Sequence, residues 1–271
     1  MVRTVLLGTI LLTLFPLRAE PFELIKKVPV PAKHYSVDIM GHIYWSQDAT
    51  LIRLDPATGE KTEYTNTFLG DIHSWDASNP FKIGVFHKDF NTLVFLDQSL
   101  STIRSPVNLD ELTASQATAT CLSQQGGFWL VNASTGQIQQ YDPGLNQINQ
   151  STAIPELSTR HQSNPLIRAH NRQLYCLIPH CCALVFDRFG NLQRRRPLKN
   201  VDNIQILNQN IYYFYKGDLY RLDKDLQSTG KIHLPTGKGK WDFARMGPRN
   251  RLYLLKKDQL YIYKIDKTPV T

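Results

Sequence analysis

The sequence predicts an all-β chain folded as a six-bladed β-propeller of four-stranded blades, with an N-terminal strand completing the last blade. Three observations predict it. A short apolar strand, a turn, an aromatic strand, a second turn and a third strand ending in aspartate recur six times. The closing aspartates Asp55, Asp97, Asp142, Asp187, Asp223 and Asp266 stand 42, 45, 45, 36 and 43 residues apart, the spacing of propeller blades. Finally, an outer strand follows each of the first five aspartates but not the sixth, while a spare strand precedes the first repeat.

That spare strand is Phe22 to Val30. Placed beside the last repeat, it closes the ring and removes the open edges that template aggregation. The aromatic second strands begin with His42 to Trp45, Lys82 to Phe86 and Gly127 to Val131, and continue with Leu174 to Ile178, Ile211 to Tyr215 and Leu252 to Leu255. Each third strand runs into its aspartate, as in Leu93-Val94-Phe95-Leu96-Asp97. The aspartates have a local reason to recur, because the side chain bonds backbone two residues on and shapes the turn. They read as structural rather than catalytic. The expected outer strands are Glu60 to Tyr64, Ser101 to Val107, Gln147 to Ala153, Leu192 to Leu198 and Gly230 to Leu234. Only Asp110 to Ala117 leans toward helix.

Residues 1–19 read as a secretory signal and 20–271 as a single propeller domain. Arg3 supplies a basic start, Thr4 to Leu17 carry no charge, and Leu17-Arg18-Ala19 ends on a small residue. The uncharged run is shorter than the ~20 residues of a membrane span. The first cysteine is Cys121, so none stands at the cleavage point to carry a lipid. The expectation is an exported protein, periplasmic or at the cell surface, without a membrane span after cleavage. The net charge of +8 falls to +6 once Arg3 and Arg18 are removed. Such a charge keeps a protein soluble and also favours anionic partners. Export argues against nucleic acid.

In a propeller, the second-to-third-strand hairpins share one face with the connections between blades, and that face usually holds the ligand. It is expected to present Asp71, His73, Lys88, Asp89, Asn91, His180, Lys216, Lys256 and Trp241. The lysines and His180 favour a carboxylate, a phosphate or an acidic protein segment; equally, they suit ordinary solvated loops. One histidine, His73, beside Asp71 and Asp89 falls short of the three or four ligands of a metal site. The sequence has no Gly-rich phosphate loop, no G-x-S-x-G elbow and no H-E-x-x-H. The Glu, Asn and Asp set of lactonase-type propellers has no placement here. No catalytic residue, metal or cofactor is assigned.

Cys176 and Cys181 flank Leu177 to His180 and are candidates for a disulfide across one hairpin; a bridge from Cys121 to the fourth blade is the other arrangement. Four cysteines allow three full pairings, and buried free thiols are the remaining reading. Arg194-Arg195-Arg196 falls in an outer strand, where charge blunts an exposed edge.

The stretch Asp76-Ala77-Ser78-Asn79-Pro80-Phe81-Lys82, continuing through Phe86-His87-Lys88-Asp89-Phe90-Asn91 to Leu96-Asp97, resembles a six-bladed propeller family widespread in Bacteroidota. Phe128-Trp129 and the turn Phe186 to Gly190 fit that resemblance. Phe81 stands where the family has Leu, and His87 where it has Tyr. The resemblance implies fold and envelope location, not an activity. The turn Asp55 to Glu60 is similar to YncE-like and NHL-like propeller repeats.

The sequence therefore points to a non-enzymatic interaction or assembly module of the cell envelope, with an envelope protein or an anionic ligand as partner. The rival reading is a channel-site ligand binder or hydrolase of the lactonase or sugar-binding type.

Overall fold

The structure is a computed structural model and describes residues 22–158, 164–198, 201, 203–207, 210–223, 225–227, 229–235 and 239–265. The expected signal segment 1–19 and the closing Asp266 lie outside the described residues.

In chain order, β1 (Phe22–Pro29) precedes the first blade. Blade 1 is β2 (Ser36–Val37), β3 (Ile43–Gln47), β4 (Thr50–Leu54) and β5 (Lys61–Thr65). Blade 2 is β6 (Ser74–Asn79), β7 (Lys82–His87), β8 (Thr92–Leu96) and β9 (Val107–Asn108). The one-turn helix α1 (Asp110–Thr113) leads into blade 3, which is β10 (Ala117–Leu122), β11 (Phe128–Asn132), β12 (Ile138–Tyr141) and β13 (Gln147–Gln150). Blade 4 is β14 (Leu166–His170), β15 (Gln173–Ile178), β16 (Cys182–Asp187) and β17 (Leu192–Pro197). Blade 5 is β18 (Ile204–Leu207), β19 (Asn210–Tyr215), β20 (Asp218–Asp223) and β21 (Thr229–Ile232). Blade 6 is β22 (Phe243–Gly247), β23 (Arg251–Lys256) and β24 (Gln259–Ile265), with β1 antiparallel to β24 as its outer strand.

The middle strands are mostly buried because both of their faces are covered. Trp129 and Val131 of β11 point into the core shared with blade 4, while Phe128 and Leu130 point into the core shared with blade 2. The period of two along each strand thus feeds two separate cores. One such core lies at each junction between neighbouring blades, including the junction of blade 6 with blade 1. That last core contains Val28 and Val30 from the N-terminal segment beside Tyr253, Leu260 and Ile262. The ring is therefore sealed by side-chain burial as well as by strand pairing.

Three of the aspartate turns show the expected bond two residues on: Asp55 accepts from the Ala57 amide at 2.7 Å, Asp97 from Ser99 at 2.8 Å and Asp187 from Phe189 at 2.9 Å. Asp223 accepts instead from the Gln227 amide, four residues on, at 2.7 Å. At Asp142 the Asn146 amide holds the carboxyl below its usual pKa.

Two expectations need correction. The outer strand of blade 2 does not run from Ser101 to Val107. It pairs only over Val107–Asn108, with an isolated bridge between Leu96 and Thr102. Pro106 has no amide to give the ladder, and Arg104 turns onto the Phe95 ring at 5.5 Å. The helical leaning of Asp110 to Ala117 yields one turn, which stops at Ala114 in the left-handed region.

Candidate functional site

The upper face is built by the second-to-third-strand hairpins and the connections between blades. Each of the six hairpins has a left-handed residue that lets it turn tightly: Asp48, Asn91, Gly136, His180, Lys216 and Lys257 all have positive φ. The face opens into a cavity of about 1010 Å³ over the central channel. Its walls come from the segment Pro31 to Ser36, the hairpin residues Ser46 to Asp48, the strand start His73 to Trp75, and Lys257 with Asp258.

The floor of this cavity comes from the innermost strands. Arg168 on β14 and Arg245 on β22 line it, and the same two residues line a smaller cavity of about 180 Å³ on the lower side. They form the waist of the channel. Arg168 bonds its own strand through Nη1 to the Ile167 carbonyl at 2.8 Å, and spans the channel through Nη2 to the Trp75 carbonyl at 2.9 Å. Arg245 donates from Nη2 to Asn203 Oδ1 at 3.0 Å and lies over the Phe243 ring at 5.2 Å. Burial pulls the Arg245 pKa down to about 10; Tyr35 opposes this and Arg168 adds to it. The Trp75 indole is held by Ser36 Oγ at 2.7 Å, so one wall is rigid.

The residues expected on this face separate into three groups. Asp71, His73, Lys88 and Asp89 gather at the rim between blades 1 and 2. The His73 ring meets Phe86 edge-on at 5.8 Å. Its pKa is lowered by desolvation and then by Lys88, against an opposing effect of Asp89. Lys88 reaches Asn164 Oδ1 at 2.7 Å. Phe68 and Phe90 stand at the same rim, 89% and 56% exposed. A Cβ added at Gly70 would lie 3.6 Å from the Phe90 ring and 3.8 Å from Asp89 Oδ2, which places the aromatic and charged groups side by side.

His180, Lys216 and Lys256 belong to blades 4, 5 and 6. The Lys216 ammonium covers the neighbouring Tyr215 ring at 5.2 Å. Of the nine expected residues, His73 alone lines the upper cavity.

Asn91 and Trp241 are interior. Asn91 is 3% exposed. It donates to Asp110 Oδ1 at 2.6 Å and accepts from the Ala117 amide at 2.9 Å, pinning the connection to blade 3. Trp241 packs between Tyr261 and Tyr263 and donates to the Pro235 carbonyl at 3.2 Å. Both residues serve packing: Asn91 turns inward from its hairpin onto the connection to blade 3, and Trp241 ends the connection that enters blade 6.

The Cys176–Cys181 bridge is not formed; all four cysteines are free thiols. Cys176 stands opposite Leu184 in the ladder, and Cys181 lies beyond the final pair of Ile178 with Cys182. The close sulfur contact is instead Cys181 to Cys182, at 2.7 Å. Among the described residues, no three His, Cys, Asp or Glu side chains are placed to share a metal ion.

Sequence pattern does not single out Arg168 and Arg245, because the first strand of each repeat reads as a short apolar strand. A charged residue inside Leu166-Ile-Arg-Ala-His or Phe243-Ala-Arg-Met-Gly was the available signal, since an innermost strand turns alternate residues to the channel.

These features define a closed six-bladed propeller with an arginine-floored channel mouth. No family model matches the chain, and no curated protein matches its sequence. The fold is similar to a streptogramin B lyase, at 12% identity and a TM-score of 0.62 over 90% of this chain and 98% of that one. It is similar to BamB from Moraxella catarrhalis, at 11% identity and 0.55 over 90% and 100%. It is also similar to the Pan2 WD40 domain of Neurospora crassa, at 7% identity and 0.63 over 91% and 96%. At these identities the likeness is one of fold.

Proposed function

We propose that this chain is an exported, non-enzymatic propeller that serves as a protein-interaction or assembly module of the cell envelope. The carrying observation is the rim between blades 1 and 2. Phe68 and Phe90 expose their rings there beside Asp71, Lys88 and Asp89. Exposed aromatics ringed by charge are the usual composition of a binding hot spot, because the ring gains by burial while the surrounding charges exclude wrong partners. The scaffold beneath is rigid: the rim stands on the core of Tyr44, Ile83, Val85 and Val94. Export rests on the layout of residues 1–19. No helix among the described residues is long and apolar enough to cross a membrane.

The test is capture from the native envelope after mild cross-linking, read by mass spectrometry, comparing the unaltered protein with two double variants. Phe68→Ala with Phe90→Ala should lower recovery of the main partner by about tenfold or more. Lys88→Ala with Asp89→Ala should lower it less. Both variants should keep their melting temperature. Undiminished capture by stably folded variants sinks the proposal. The N-terminal sequence of the secreted protein should begin near Glu20.

A further inference from the structure

We propose that the waist of the channel binds an organic anion, with Arg168 and Arg245 gripping its carboxylate or phosphate head. Three observations carry this, and none depends on the rim described above.

The first is charge balance. Both guanidiniums line the two cavities of one channel, and neither makes an ion pair among the described residues. The acids that share the lower cavity are already engaged. Asp76 gives its oxygens to the Ser78 and Leu122 amides, at 3.0 Å each. Asp38 accepts from His42 Nδ1 at 2.8 Å and from the Tyr44 hydroxyl at 3.0 Å, as well as from nearby amides. The upper cavity also carries Asp48, Asp242 and Asp258, against Lys33, Lys257 and the two arginines, so its lining keeps a net positive charge, and among the described residues no carboxylate is bonded to either guanidinium. Arg168 disfavours the charge on Arg245, and an anion bound between them relieves that repulsion.

The second is the donors left over. Arg245 is 9% exposed; among the described residues its Nε is buried without a partner and its Nη2 alone is bonded. Arg168 bonds one carbonyl from each terminal nitrogen, which leaves each of them a second hydrogen. Planar guanidinium forks match carboxylate and phosphate oxygens in pairs.

The third is space. At about 1010 Å³ the upper cavity far exceeds what an inorganic ion fills; it lies at the upper end of the small-molecule range of roughly 300–1,000 Å³. Trp75 and Leu166, both half-buried, provide apolar wall above the arginines. The ligand is therefore an anion with an organic body, its head down and its apolar part against Trp75 and Leu166.

The test uses the purified mature protein. Thermal unfolding is followed at constant ionic strength in inorganic phosphate, in succinate and in chloride. Phosphate or succinate should raise the melting temperature saturably, and the tighter of the two identifies the head group. Arg168→Met and Arg245→Met should each weaken the apparent affinity at least about tenfold. Arg168→Lys keeps the charge but loses the fork, and should weaken it too. Should the methionine variants fail to fold, the unaltered protein still decides. The same anions should then shield Arg168 from a dicarbonyl reagent, read by peptide mass spectrometry. Equal rises in the unaltered protein and the variants, or neither a saturable rise nor shielding, overturn the site. Partner capture by the arginine variants should be normal, so this result and that of the rim are read separately.

Discussion

The Val30 amide donates to the carbonyl of Asp258 at 2.9 Å, tying the segment that enters blade 1 to the last hairpin of blade 6. Just before it, Val28 lies opposite Leu260 in the ladder and is 6% exposed. The start and the end of the described chain thus share one sheet and one core. Closed this way, blade 6 has its full four strands, and its stability depends on pairing between segments far apart in sequence.

The clasp gives the first prediction. Val28→Asp should destabilise the protein by about 2–4 kcal/mol, because it removes a buried apolar side chain and strands a carboxylate. Ile25→Ser on the same strand should change stability by less than about 0.5 kcal/mol, since a surface position lacks such a mechanism; Ile25 is 46% exposed. Urea unfolding midpoints of the two variants check the contrast. Equal loss from both would remove the clasp from the account of stability.

A second prediction concerns Asp38, which is 2% exposed. Its Oδ1 accepts from the amides of Met40, Gly41 and His42 at 2.8, 2.8 and 2.9 Å. Its Oδ2 takes His42 and Tyr44, and His42 passes the network on to Arg53 at 3.1 Å. Asp38→Ala leaves those donors buried and unmatched, and should cost about 3 kcal/mol or more. Tyr44→Phe removes one donor together with its need, and should cost about 1 kcal/mol. Calorimetric unfolding of both variants measures the difference.

The third prediction is a pH dependence. His87 is 0% exposed and donates from Nδ1 to the Gly70 carbonyl at 3.0 Å. Burial lowers its pKa below the usual 6.5, while the carbonyls around Gly70 oppose the shift. The unfolded chain then binds more protons than the folded one as pH falls through 6.5, so folding loses stability from that pH downward. Above it, both states are neutral and the effect vanishes. His73 and His170 are lowered in the same direction, again by desolvation first. His87→Gln should flatten the decline between neutral and mildly acid pH in denaturant titrations. An unchanged slope would show that His87 is not a main source.

Thiol accessibility gives the fourth. Cys121, Cys176 and Cys182 are buried, at 2%, 0% and 1% exposure, and Cys181 is partly open. Burial pushes the Cys182 thiol up to about 12 and raises Cys121 and Cys176 as well. Thiolate is the reactive form, so a maleimide should label Cys181 first in the native protein. Cys181→Ser should abolish that native labelling, and denaturation should restore it at the other three. Rapid labelling of Cys176 in the native state would contradict the packing of blade 4.

The chain alone determined the architecture. Trp129 alternates with Leu130 and Phe95 with Leu96, and the turn aspartates recur at blade spacing; these are local signals, set by strand period and turn chemistry. The ring closure was equally legible, because a missing strand at one end and a spare one at the other match by simple accounting. The surface was less so. Asn91 and Lys88 are three residues apart at one hairpin, yet one is buried against Asp110 and the other reaches Asn164 in the next connection but one.

Only the tertiary structure decided what the channel holds. Arg168 and Arg245 are 77 positions apart in sequence, on strands whose neighbours give no sign that they meet. They converge because rotation about the propeller axis brings every innermost strand to one point. No local pattern encodes which side chains share that point; the number of blades and the register within each one fix it.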